Sequence, residues 1–484
     1  MSDLVLAMAL IAVVLLVSAL ASGIVERAPL SFPMIFLGLG FLLGAGGMGV
    51  IHIEPHSPIL EAIGIVSLAL VLFLDAVNIQ VDELRSDWRI PMLSLGPGTI
   101  LIILIIAVSA YLLIGTTPIQ SLLLGAILSS TDPVVLRDVL RDERIPRSIR
   151  RALSVEAGMN DIVVLPIVLI LIAILTASVG GMLEWALFLA KLLILSPLIG
   201  LAVGGIGAWL MGRADMRFGI RHEHQALYGI GLVLAAFVAG QAVQGDGFLA
   251  AFFAGLAVTL FNVSLCDCFL EYGEVTAEMA MLLAFVLFGA LLSTLLGTIP
   301  LLPALLLALV VIVVARPLAL ALVLQRANMS NAARAFIGWF GPRGLSSLLL
   351  ALLVVQANAS GAEQLLAVTG VVVLVSVIAH GATATPLSAW YARRVAQETL
   401  AEEREATATG LFQHDAGETP RITPEELAAR LMSASPPIVL DVRTRSQYDK
   451  DSGQIPGSAR VPPDAVEAWA AKEAPARAVV AYCT

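Results

Sequence analysis

The sequence predicts an all-α polytopic membrane protein of about thirteen transmembrane helices, followed by a small, partial α/β unit. Three observations carry that prediction. Of 484 residues, 58% are hydrophobic and only 13% are charged, too little charge to cover a soluble surface of this size. Apolar runs long enough to cross a bilayer recur from Leu4 to about Trp390, separated by short polar breaks. After Trp390 the composition turns sharply polar, through a charged, helix-favouring stretch from Arg393 to Ala408.

The formal net charge is −9, with the acids concentrated after about residue 400, and no basic stripe points to nucleic acid. The three cysteines, Cys266, Cys268 and Cys483, give no disulfide framework, and Cys266-x-Cys268 lacks the second ligand pair of a zinc site. No cofactor is implied.

The first span, Leu4 to Gly23, has no basic flank and no small-residue cleavage site, so it reads as retained. Polar breaks then fall at 24–29, 51–58, 79–90, 115–118, 137–151, 179–184, 212–224, 243–247, 262–276, 298–301, 326–334 and 357–364. Alternate breaks hold the arginines: Arg27; Arg85 and Arg89; Arg137 to Arg151; Arg213, Arg217 and Arg221; Arg326 and Arg334. Basic residues are retained inside, so the N-terminus is expected outside and the C-terminus in the cytoplasm, in a cell (inner) membrane. The 262–276 break is expected to be a cytoplasmic loop although it carries Asp267, Glu271 and Glu274 and no basic residue.

Two spans carry helix breakers at their middles. The fifth has Ser130-Thr131-Asp132-Pro133 and the twelfth Gly341-Pro342-Arg343-Gly344. They correspond if spans one to six and eight to thirteen are two inverted repeats around a linking seventh. Paired broken helices are the sequence signal of a transporter's binding site.

Ionisable side chains at membrane depth are costly and demand a function or a partner. Here they are Asp75, Asp132, Glu156, Asp161, Arg316 and Arg343, four acids against two arginines. Glu156 and Asn160 share one face of the sixth span, with Asp161 beside them. His380, in the last span, reads as a packed, hydrogen-bonded histidine.

At these residues the chain resembles the monovalent cation:proton antiporters of the sodium/proton exchanger superfamily. The resemblance covers nearly all of residues 1–395. Its motifs, in order, are Leu72-Phe73-Leu74-Asp75-Ala76 with Glu83-Leu84-Arg85, Thr131-Asp132-Pro133, Glu156 to Asp161, Ala315-Arg316-Pro317, and Gly338-Trp339 with Gly341-Pro342-Arg343-Gly344.

The resemblance implies that Asp161 binds the transported ion, Na+ or another monovalent cation, with Asn160 beside it and the Thr131 backbone supplying oxygen. Asp132 then settles the dipole ends of the broken helix with Arg343, and Glu156 pairs with Arg316 as a structural bridge. Asp75 reads either as an ion-path residue or as a hydrogen-bonded packing residue. One carboxylate that holds a cation or a proton, but not both, implies electroneutral one-for-one exchange by alternating access; relatives with Asp in place of Asn160 tend to be electrogenic. Relatives are homodimers, which implies a homodimer here. The chain departs from the pattern at Ala157, where many relatives have a serine whose hydroxyl meets the ion.

The tail alternates helix, strand, helix and strand: Thr423-Pro424-Glu425-Glu426-Leu427, Ile438 to Arg443, Gln454-Ile455-Pro456-Gly457, then Ala478 to Cys483. It resembles a rhodanese domain over 421–484, joined to the membrane domain (1–395) by a linker at 396–420. The resemblance makes Cys483 the catalytic, persulfide-forming cysteine. With the sequence ending at Thr484 the loop that would cradle the persulfide is not included, so the tail is expected to be inactive. Two other readings exist: a membrane-anchored sulfurtransferase or sulfur sensor, and a cation channel. Tethering needs one or two spans rather than thirteen, and a channel needs repeated weak sites along a continuous path.

Overall fold

The computed structural model describes residues 10, 12–20, 31–79, 89–134, 136–142, 144–261, 263–327, 329–397, 422–433, 436–443, 448, 453–473 and 478–482. The motif Glu83-Leu84-Arg85, most of the 396–420 linker and Cys483 therefore lie outside the described residues.

Membrane helices follow one another in the predicted order. After a helical stretch at 12–20 come α1 (Phe32–Leu43), α2 (Pro58–Val77), α3 (Ile90–Ile114), α4 (Pro118–Ser129), α5 (Arg147–Leu175) and α6 (Met182–Phe218). There follow α7 (His222–Ala242), α8 (Gly247–Phe261), α9 (Val263–Leu295), α10 (Leu301–Val323), α11 (Asn331–Trp339), α12 (Leu345–Gln356) and α13 (Ala362–Gln397). Among the described residues, eight helices are long and apolar enough to cross a membrane, and four further apolar helices have 10–17 residues. Two of those four, α4 and α12, are short because a span is broken.

The ends have local causes. Pro begins α2 and α4, where a missing N–H costs nothing, and Thr117 and Gln120 close a capping box on α4. Wider π turns at Ser94–Gly98 and Val310–Ala315 lie at Pro97 and directly before Arg316-Pro317, where proline removes a backbone donor.

The 262–276 break is not a loop. Val263 to Leu295 is one continuous helix, so Cys266 and Cys268 sit on helical backbone. Acidic residues there read as a polar connection, but charge at the end of a long helix is compatible with a helix that projects past the hydrocarbon.

The helices form two bundles. One contains α1, α2 and α6 to α9, with α8 packed between α6 and α2; the other contains α3 to α5 and α10 to α13. Gly200 and Gly204 of α6 lie against the backbone of Ala250 and Ala254 of α8, a contact that small residues allow in lipid. The bundles meet where α2 touches α5 and α12, and where α9 touches α12 and α13. In α9 and α13, 67% of the apolar window is buried, against 17% in α6, so the first two are central and α6 is peripheral.

The tail holds α14 (Pro424–Leu431), α15 (Val466–Glu473) and a parallel sheet of β1 (Ile438–Asp441), β2 (Ala459–Arg460) and β3 (Val479–Tyr482) in the order β2-β1-β3. A small core of Leu440, Val442 and Val461 with Trp469 supports it.

Candidate functional site

The two broken spans meet at their breaks. Pro133 and Pro342 lack the N–H that would continue a helix, and the freed backbone groups find partners across the pair. The Asp132 N–H donates to the Pro342 carbonyl at 2.9 Å. Helices α4 and α12 run antiparallel: Gln120, at the start of α4, donates to the Ser360 carbonyl beyond the end of α12, and Ser347 donates to the Ile127 carbonyl.

Each break caps the helix of the other. The Asp132 carboxylate accepts from the N–H of Leu345 at 2.8 Å and of Val134 at 2.9 Å, which places negative charge at the N-terminus of α12. Arg343 Nη1 donates to the carbonyls of Ser129 (2.6 Å) and Ser130 (2.9 Å), which places positive charge at the C-terminus of α4. Asp132 and Arg343 were expected to act on one broken helix together; instead Arg343 turns to carbonyls rather than to the carboxylate of Asp132. A Cβ on Gly344 would collide with the Asp132 carboxylate and one on Gly341 with Arg316, so this crossing requires glycine at both positions.

Glu156 receives Arg316 on both carboxylate oxygens, with Nη2 to Oε2 at 3.0 Å, and the same guanidinium reaches the Ile337 carbonyl. Two charges buried together need such geometry to offset their desolvation. His380 has a partner on each ring nitrogen, the Ser376 carbonyl at 2.8 Å and the Trp339 carbonyl at 3.0 Å, as expected of a packed histidine.

Asp161 is the middle residue of the 29-residue α5. It is buried, and receives neither arginine nor a backbone N–H. Ser130 Oγ donates to its Oδ1 at 2.5 Å, and the side chain of Ser346, in the first turn of α12, stands near enough to act on the same carboxyl. Its Oδ2 has no hydrogen bond, nor have Oδ2 of Asp75, Oδ1 of Asn160 and Oγ1 of Thr131, all buried. Buried oxygens of this kind are costly unless something pairs with them. Carboxylate, amide and hydroxyl oxygens are the donors a small hard cation takes. Ser130 and Ser346 were missed in the sequence, where nothing sets their hydroxyls apart from those of Ser129 and Ser347.

A cavity of about 440 Å³ leads to this region, lined among others by Asp75, Asn78, Arg137, Arg141, Arg150 and Gly158. Gly158 lies against Asp75, one turn of α5 before Asp161. At the cavity wall Arg137 makes ion pairs of 3.1 Å with Glu274 and with Glu278 of α9, joining the two bundles. Glu274, which stood in a stretch with no basic residue, thus has its partner in the arginine-rich 137–151 break.

Two helix-end pairs crossed at paired breaks, with an acid beside them that lacks a counter-ion, are the arrangement of a secondary-transporter fold. The sodium/hydrogen exchanger transmembrane family model matches residues 11–390, and the chain belongs to that family. The chain is 26% identical over 395 residues to the K(+)/H(+) antiporter NhaP of Alkalimonas amylolytica, covering 80% of this chain and 67% of the relative. It is 30% identical over 378 residues to the K(+)/H(+) antiporter NhaP2 of Shewanella sp. (strain ANA-3), covering 76% and 64%. The chain thus spans about two thirds of the length of these curated relatives. Its fold is that of the sodium proton antiporter MjNhaP1 from Methanocaldococcus jannaschii, with a TM-score of 0.68, 20% identity, and coverage of 80% of this chain and 99% of that one. The family match ends before the α/β tail, and the sulfurtransferase reading finds no support.

Proposed function

We propose that this chain exchanges a monovalent cation, Na+ or K+, for a proton across the cell membrane, with Asp161 as the group that both ions share. The observation that carries this reading is the contrast among the buried acids. Glu156 has an arginine, Asp132 has two backbone N–H groups, and Asp161 has hydroxyls and an unpaired oxygen. A carboxyl out of water favours a neutralising partner, and Asp161 holds either a proton or a cation. The unpaired oxygens of Asn160, Thr131 and Asp75 support a cation there.

Asp132 and Arg343 act as the cross-caps that hold the breaks open, and Glu156 with Arg316 as a structural bridge. Alternating access of this site to the two sides couples opposite fluxes. Asn160 is uncharged, so one charge moves each way and the cycle is electroneutral. The arginine-lined cavity faces the cytoplasm in the topology with the N-terminus outside, and the assembly is a homodimer. The tail is a rhodanese-like appendage.

The test is fluorescence dequenching in reconstituted vesicles with an imposed pH gradient. Na+, K+ or Li+ should collapse the gradient, and Asp161→Asn should abolish the response. Silence with every cation, or full activity in Asp161→Asn, would end this reading.

A further inference from the structure

Ala157, one helical turn before Asp161 on α5, is buried and supplies only a methyl group. A hydroxyl reaches the carboxylate from another direction, since Ser130 Oγ lies 2.5 Å from Asp161 Oδ1 and belongs to the broken end of α4.

We propose that Ser130 is a specificity-determining ligand of the shared ion site, a hydroxyl that donates to the Asp161 carboxylate and turns its lone pairs to whichever cation or proton replaces that bond. This rests on the antiporter reading and deepens it. Arginine and backbone N–H groups can only donate, so they hold a carboxylate anionic. A hydroxyl donates or accepts by rotating its hydrogen, with its oxygen fixed. It can therefore serve the empty, protonated and cation-bound states without moving the backbone.

The oxygen is fixed. The Ser130 carbonyl is bonded by Arg343, the Ser129 carbonyl by the same nitrogen, and the Asp132 N–H by the Pro342 carbonyl. Ser130 leaves the helical conformation at ψ 137°, which directs this residue out of α4 while its neighbour stays in the helix. That neighbour is an internal control: Ser129 Oγ bonds back to the Ala126 carbonyl at 2.7 Å. Ser346 and Ser347 divide in the same way on α12, the first acting on Asp161 and the second bonded to the Ile127 carbonyl.

The charged groups that act on this carboxyl are Asp132 at the break and Asp75 of α2, while Arg343 is bonded to the Ser130 carbonyl, Glu156 of α5 to Arg316 of α10, and His380 of α13 to the Ser376 carbonyl. Glu156 and Arg316 are committed to each other and Asp132 to two backbone N–H groups, which leaves the hydroxyls, together with Asp75, to set the balance between proton and cation.

The experiment compares Ser130→Ala with Ser129→Ala in dequenching titrations over pH and cation concentration. Ser130→Ala should move the pH midpoint of exchange alkaline by about one unit and raise the half-saturating cation concentration about tenfold, because the anionic carboxylate loses a charge-assisted hydrogen bond. Ser129→Ala should keep both values. Wild-type midpoint and half-saturation in Ser130→Ala, or an equal fall in maximal rate alone in both variants, overturns the proposal. Infrared difference spectra give a readout independent of transport: the protonated carboxyl band absent in Asp161→Asn should shift in Ser130→Ala and not in Ser129→Ala. A wild type silent in transport sinks the antiporter reading, whereas an unshifted band sinks the Ser130 assignment.

Discussion

Glu156 and Arg316 meet with both carboxylate oxygens engaged and almost no exposure, in a bundle where water cannot replace either partner. Removing one leaves an uncompensated buried charge, at a cost of about 3–5 kcal/mol. Arg316→Ala and Glu156→Ala should each lower the melting temperature of the purified protein sharply. A Glu156→Gln, Arg316→Gln double variant should recover part of the loss; if it melts below both single variants, the charge argument is wrong. The residues of this pair were legible because an arginine and a glutamate in apolar spans stand out against lipid. Ser130 was not. Serine is tolerated anywhere in a membrane helix, and nothing in Ser129-Ser130 distinguishes the hydroxyl bonded to its own helix from the one bonded to Asp161.

At the scale of elements, the proline of each break announced α4 and α12, since proline deletes a backbone donor wherever it stands. The start of α9 was misread for the opposite reason. Its acids are helix formers, and Glu274 and Glu278 stand four apart on one helical face, both against Arg137. A loop and a charged helix end share one composition. These ion pairs are partly exposed, so each contributes only about 0.2–1 kcal/mol. Their leverage is positional, because they tie α9 to the turn at Arg137–Arg141 across the bundle boundary. With one spin label on α9 and one on that turn, Arg137→Ala should broaden the distance distribution. An identical distribution would mean that the pairs restrain nothing.

Across the whole molecule, polar breaks and apolar runs predicted the order of the helices, while the division into two bundles was not legible. Every span is apolar, so which helix touches which is decided by packing contacts such as Gly200 and Gly204 on Ala250 and Ala254. The larger cavity opens beside Arg141 and Arg150, and a smaller one, about 210 Å³, is lined by Leu169, Lys191, Gln244 and Asp246 towards the other end of α5. The larger of these two is the one that Asp75 lines. Charge balance over a full cycle is likewise a property of the whole: the proposed exchange has one carboxylate beside a neutral Asn160 carry one positive charge in each direction. Clamping the vesicle potential with valinomycin should leave the exchange rate nearly unchanged, and a steep voltage dependence would refute one-for-one exchange.

The crossed caps also have a consequence for how the protein is made. The carbonyls of Ser129 and Ser130 depend on a guanidinium more than 200 positions later, and the N–H of Leu345 depends on a carboxylate equally far upstream. A nascent chain that has inserted only as far as α10 holds a half-helix whose last carbonyls have not met their cation. The crossing of α4 and α12 is therefore complete only when synthesis of the membrane domain is nearly finished.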